Sequence, residues 1–167
     1  MFPAVSFDIP TVWRVKGQLP DVARLLTTPK DFPLWWGDVY LSVTELTAGD
    51  AKGIGQTMAI HSRGWLPYHL HWQATLTEAD LPHRWSLSAT GDLTGQGIWT
   101  LRQSGPIVEA RFDWQVTSDR LLFRVLGPLL KGVMVSNHQW AMAKGEAALQ
   151  RALHVPSPAN PPPVRQS

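Results

Sequence analysis

The 167-residue chain contains no cysteine. That excludes disulfides, thiolate metal sites and a cysteine nucleophile, and leaves the redox compartment unread. Charge is sparse: 15 Lys and Arg against 13 Asp and Glu leave a formal net charge of +2. The basic residues are scattered among acidic ones, so no nucleic-acid footprint forms and no nucleic-acid partner is expected. No stretch reaches the ~18 uninterrupted apolar residues of a membrane span, so no transmembrane segment is expected. Met1-Phe2-Pro3 lacks the charged start and apolar core of a signal peptide, which makes the cytoplasm the expected location. There is no phosphate-binding glycine loop. No serine has a base and an orienting acid near it in sequence, which weakens an acyl-transfer reading. No cofactor is expected.

What the chain does have is tryptophan: nine of them. Closed cores are filled mainly by Leu, Ile and Val, whereas Trp is bulky and its N–H seeks a partner. Nine indoles therefore have two readings, as ordinary core or as the wall of a cavity that an apolar ligand fills.

Read in order, the chain begins with a strand in which Phe7, Ile9, Trp13 and Val15 alternate with Ser6, Asp8, Arg14 and Lys16. Pro10 interrupts it and predicts an edge position with a bulge or bend. Pro20-Asp21 opens a short helix carrying Val22, Leu25 and Leu26, and Thr28-Pro29 starts a second that ends at Leu34-Trp35-Trp36-Gly37. From Asp38 the period is two. Val39, Leu41 and Val43 are expected to share a face, Ala48-Gly49-Asp50 to turn, and Met58 and Ile60 to face one way. Leu66, Tyr68, Leu70, Trp72, Ala74 and Leu76 then oppose Pro67, His69, His71, Gln73, Thr75 and Thr77. Trp85, Leu87 and Ala89 follow, then Trp99 and Leu101, then Val108, Ala110, Phe112, Trp114 and Val116 against Glu109, Arg111, Asp113 and Gln115. Such alternation implies antiparallel strands with one face covered and one wet.

The cover is the last long apolar run, Ser118 to Leu153. Ser118 or Asp119 can cap a helix start. Leu122, Leu126, Leu130, Val133, Asn137 and Trp140 recur at steps of three and four, and Ala141, Ala148, Leu149, Ala152 and Leu153 extend that stripe. Lys131, Lys144, Glu146 and Arg151 fall mostly to the other side. Gly127-Pro128 predicts a kink between a short lead-in and a main helix from Pro128 to Leu153. At ~1.5 Å per residue that main helix is roughly 39 Å long, the reach of a long strand. The sum is an α+β layout, with helices on one face of a curved antiparallel sheet. Residues 1–154 are expected to form one domain, and 155–167, rich in proline, a disordered tail.

This order, with Trp35-Trp36, Gly64-Trp65-Leu66-Pro67-Tyr68, Gly91-Asp92-Leu93 followed by Gly95, Gly97 and Trp99, Asp113-Trp114, Asn137-His138 with Trp140, and Gly145-Glu146, resembles the START-like (SRPBCC) superfamily. Within it the resemblance is to the polyketide cyclase/dehydrase and lipid-transport group, over roughly residues 5 to 153. It implies a helix-grip fold, a sheet wrapped around the C-terminal helix with an apolar cavity between them. It also implies binding of a hydrophobic small molecule such as a lipid, polyketide or quinone. It does not imply catalysis, because one fold hosts carriers and enzymes alike.

On these phases Tyr68, Leu70, Trp72, Trp85, Leu87, Trp99, Phe112 and Trp114 point into the space under the helix, and Leu130, Val133, Met134, Asn137 and Trp140 close it. Asn137 is a polar side chain on an apolar stripe and needs a partner, either a ligand or a sheet backbone group. His138 sits ~100° around the helix from it, as a cavity-rim base or as a histidine bonded to a loop. Asp92 among glycines is an acid at the cavity mouth or a turn residue bonding its own backbone. Asp113 is assigned to cross-strand ion pairing. His69 and His71 share a strand face with His61 as a possible third ligand, but they lie opposite the apolar stripe, and no metal site is assigned. Leu121 to Val135, with Arg124 and Lys131, can also be read as a membrane-surface helix. The sheet's need for a cover favours the core reading. The alternatives to a binding protein are an enzyme of the cyclase/dehydrase or hydrolase type, using His138, Asn137 or Asp92, and a ubiquinone-chaperone-like interaction module.

Overall fold

The computed structural model describes the backbone of residues 5–118 and 121–155 and the side chains of residues 6–118 and 131–155. Its strands are β1 (Val5–Lys16), β2 (Tyr40–Thr47), β3 (Thr57–Arg63), β4 (His69–Asp80), β5 (Arg84–Gly91), β6 (Thr94–Ser104) and β7 (Ile107–Ser118). Between β1 and β2 lie α1 (Leu19–Leu26), a 3-10 turn (Pro29–Asp31) and α2 (Phe32–Trp35), and α3 (Leu121–His154) follows β7. The strands pair antiparallel in one sheet, in the order β1-β7-β6-β5-β4-β3-β2. This is the helix-grip layout.

Alternation carries the sheet as its sequence implies. In β7 Val108, Ala110, Phe112, Trp114 and Val116 are buried, as are Phe7, Ile9, Trp13 and Val15 in β1. β1 keeps an unbroken register with β7 through Pro10, so the expected bulge is absent. β1 is an edge strand, and there a missing N–H can point away from the partner without costing a ladder bond. The slip falls instead in β2. Its register with β3 shifts between Tyr40 and Ser42, so Tyr40 lies opposite Ser62 and Val43 opposite Ile60. Tyr40 and Val43 pack on the core, and Leu41 does not share their phase as expected. A second shift, between Leu76 and Glu78, turns Ala79 onto the core. Residues 66–68, read as the start of a strand, lie in the loop before β4.

α3 differs from its expected form at its beginning. It runs as one helix from Leu121 through Gly127-Pro128 to His154, 34 residues, or ~51 Å by helical rise. A proline removes one amide donor from the ladder, and here that loss does not end the helix. Ser118 is no helix cap. It is the last residue of β7, and its hydroxyl donates to the Asp92 carbonyl at 3.0 Å. Asp119, the side chains of Leu122, Leu126 and Leu130, and the tail beyond Val155 lie outside the described residues.

The C-terminal half of α3 rests on the edge strand β1. Gln150 accepts the Lys16 N–H at 2.8 Å and donates to the Lys16 carbonyl at 3.0 Å, completing backbone groups at the open edge. Leu149 is fully buried. Gly145 faces the rings of Trp13 and Trp36, which a Cβ would strike. Trp13 is 1% exposed. Trp36 is held by its own N–H on the Ala141 carbonyl at 3.2 Å, so neither indole has room to retreat.

Gly145→Ala should therefore destabilise the protein by about 1–3 kcal/mol through overpacking, although alanine alone favours a helix by about 1 kcal/mol over glycine. Urea unfolding reads the sign, and a stabilised variant would show that the helix does not press on these rings.

Candidate functional site

Six tryptophans are buried: Trp13, Trp36, Trp72, Trp85, Trp99 and Trp114. Across the inner face Trp85 stacks on Trp99 (6.2 Å between ring centres), Trp99 on Phe112 (4.5 Å), and Phe112 on Trp114 (5.3 Å). Trp114 meets Trp72 at 5.6 Å. Gly97 makes room for the Phe112 and Trp114 rings, which a Cβ there would touch at 2.8 Å. Such large flat groups do not interdigitate with a helix as aliphatic side chains do. Between the inner face, the α1–α2 segment and α3 they leave a cavity of about 300 Å³. Its walls are mainly apolar, and five of the nine tryptophans line it: Trp36, Trp72, Trp85, Trp99 and Trp114.

Of the side chains expected to face this space, Leu70, Trp72, Trp85, Leu87, Trp99, Phe112, Trp114, Met134 and Asn137 line it. Tyr68, Val133 and Trp140 are not among the lining residues. Tyr68 packs on the core and gives its hydroxyl proton to the Met134 sulfur at 3.0 Å. Trp140 carries the Lys144 ammonium over its ring at 5.5 Å. The side chain of Leu130 is outside the described residues. Further walls come from elements not included in the expected site, among them Phe7 and Ile9 of β1, Leu26 and Phe32 of the helical segment, Tyr40 of β2, and Met58, Ile60 and Ser62 of β3. On α3, Ala141 and Met142 add to the residues expected there. Phe7, Ile9, Met58 and Ile60 were visible as inward positions in the alternation. What the pattern could not show was that the sheet curves far enough to bring its two edges round the same space.

Two polar residues expected near the cavity do line it. Asn137 is 7% exposed, and its Oδ1 accepts the Leu66 N–H at 3.2 Å. The partner is thus the loop before β4, not a strand. Gly64 of that loop lies so close that a Cβ would occupy the Asn137 amide. The Asn137 Nδ2 makes no hydrogen bond among the described residues. His138 is partly exposed as a residue, but its Nε2 is buried and has no hydrogen-bond partner among the described residues. Burial pushes its pKa down from 6.5 to about 4. At neutral pH the ring is therefore uncharged, able to give or take a proton through hydrogen bonds but not to act as a cation.

Asp92 is absent from the lining. Its carboxylate accepts the His71 N–H at 2.8 Å, and its own N–H donates to the His71 carbonyl at 3.0 Å. It ties the β5–β6 turn to β4, so it is a turn residue that bonds a neighbouring strand. Asp113 pairs with Arg111 two residues away on the same strand, at 2.9 Å, and the cross-strand pairs go to Glu109, from Arg14 and Arg102. His61, His69 and His71 do meet, on the outer face. His61 Nε2 and His69 Nδ1 are 2.8 Å apart, and the His61 and His71 rings stack at 4.3 Å. Among the described residues no group of His, Asp and Glu is placed to hold a metal ion.

Sheet, cradle and clasped helix define the class: the chain has the START-like helix-grip fold. Solved structures agree. A START superfamily protein from Mycobacterium smegmatis matches with a TM-score of 0.70 at 9% identity, over 87% of this chain and 96% of that one. The Zhui aromatase/cyclase from Streptomyces sp. R1128 matches with a TM-score of 0.69 at 10% identity, over 89% and 94%. Norcoclaurine synthase from Thalictrum flavum matches with a TM-score of 0.59 at 12% identity, over 90% and 87%. No family model and no curated protein matches the sequence.

The buried imidazole carries a pH signature. Between pH 6.5 and about 4 the unfolded chain binds a proton at His138 that the folded chain refuses. Its contribution to stability is thus complete above pH 6.5 and lost as pH falls to about 4, amounting to at most about 3 kcal/mol. Urea midpoints at about pH 7.5 and 4.5 should differ less in His138→Gln than in the parent. An unchanged difference would show that the ring titrates alike in both states.

Proposed function

We propose that this protein binds a compact, largely apolar small molecule between its sheet and α3. The observation that carries the reading is the cavity itself. Its volume of about 300 Å³ stands at the lower end of the roughly 300–1,000 Å³ of ligand pockets. A ring system or a short chain suits that space, and a two-chain lipid does not. The walls supply dispersion contacts and aromatic faces, while Asn137 and His138 offer the few polar contacts that fix orientation. Neighbours named for START, aromatase/cyclase and norcoclaurine synthase support a small organic ligand.

One observation favours a second reading. Asn137 and His138, adjacent on α3, line one apolar space. In an enzyme of the cyclase/dehydrase type a neutral His138 would move a proton at the substrate, and the Asn137 Nδ2 would hold a carbonyl oxygen. That reading requires both groups to reach one substrate atom, so loss of turnover in both His138→Gln and Asn137→Leu, with binding retained, would mark it.

A cavity-filling substitution tests the binding reading. Ala74 lines the cavity from β4. Ala74→Phe should abolish the fluorescence gain of the neutral probe N-phenyl-1-naphthylamine while the unfolding free energy from urea titration stays within about 1.5 kcal/mol of the parent. A parent that gives no gain, or a folded variant that binds equally well, would remove the cavity from the account.

A further inference from the structure

The charges around the cavity are one-sided. Among the described residues two of its lining side chains are charged, Lys52 and Arg63, and both are cations; no described Asp or Glu lines it. Among the described residues neither cation pairs with a carboxylate. Arg63 donates through Nε to the backbone carbonyl of Asp38 at 3.1 Å, and its two terminal amino groups make no hydrogen bond among the described residues. The Asp38 carboxylate is turned to Lys144, at 3.7 Å. The acid beside Lys52 is Asp50, whose Oδ1 accepts the N–H groups of Lys52 and Ile54 at 2.8 and 2.9 Å.

Arg63 is the last residue of β3 and Lys52 lies in the turn before its first, so the length of the strand, ~20 Å by strand rise, separates the two ends at which the cations sit. Arg63 has the better company. Gly64 follows it and lies against the Asn137 amide. Asn137 has turned its Oδ1 to Leu66, and its Nδ2 has no acceptor among the described residues. Ser62 and His138 line this same end. Burying an unpaired charge costs far more than apolar contacts return, so a cavity with a cation at its rim and no acid in its wall discriminates by charge.

We propose that the ligand is an apolar anion, a compact monocarboxylate whose aromatic or aliphatic body lies among the indoles and whose carboxylate is received by Arg63 and Asn137. This rests on the reading of the cavity as a ligand site and adds the ligand's charge to it. The guanidinium supplies a charge-assisted pair, and the amide fixes the second oxygen.

Calorimetric titration with 1-naphthaleneacetate and its neutral isostere 1-naphthaleneacetamide tests it. The parent should hold the acid about tenfold more tightly than the amide, the scale of one charged hydrogen bond. Arg63→Gln should bring the two affinities together by weakening the acid alone, and Arg63→Lys should restore part of the preference. Retained amide affinity in Arg63→Gln reports an intact fold. Equal binding of acid and amide by the parent, or a preference that survives Arg63→Gln, would overturn the anion while leaving the cavity's role standing. Failure of both probes to bind would count against the cavity reading itself.

Discussion

The structure turns on how closely one helix can approach a sheet paved with indoles. Near its C-terminal end α3 comes close because it presents Gly145, Ala148 and Leu149, and because Gln150 pairs with the backbone of Lys16. The missing Cβ at Gly145 is what lets the Trp13 and Trp36 rings lie beneath the helix. Further up, α3 presents Met134, Asn137, His138 and Ala141 to a face tiled by Trp72, Trp99, Phe112 and Trp114. Stiff aromatic plates on one side and an unbroken helix on the other do not fill the space between them, so it stays open by geometry.

Holding a helix off a sheet exposes polar backbone near the gap, and Asn137 answers that need. It accepts the Leu66 N–H and sits against Gly64, so the loop before β4 is fastened to α3 at the cavity's polar end. Tyr68 adds a second fastening through the Met134 sulfur. In the proposed reading the same amide offers its Nδ2 to the ligand. Its structural part is the loop's attachment, so a binding role of the kind proposed would share the same side chain.

Much of this was legible in the residues and some was not, for physical reasons. β1 and β7 were plain because one face is covered and the side-chain period is two, so Phe7, Ile9, Phe112 and Trp114 declared their side. The slip at Leu41 depends on how β2 meets β3, a partner interaction that no single strand announces. The silence of Pro10 has the same origin, since an edge position removes the cost that would have forced a bulge. Ser118 has the chemistry of a cap but spends its hydroxyl on Asp92, and Asp92 spends its carboxylate on His71, both across the sheet. The cavity list was short because lining depends on curvature: inward residues of β1 and β3 are far apart in a flat sheet and neighbours in a rolled one. Asn137 was singled out correctly as a polar break in an apolar stripe, and the identity of its partner waited on the loop's path.

If the aromatic face and α3 leave a real void, crystals pressurised with xenon will reveal it, because xenon occupies apolar cavities without needing a specific contact. Xenon density is expected between the Trp72–Trp99–Trp114 face and Met134 of α3. A diffraction map with Met134 packed onto those rings and no xenon between them would contradict it.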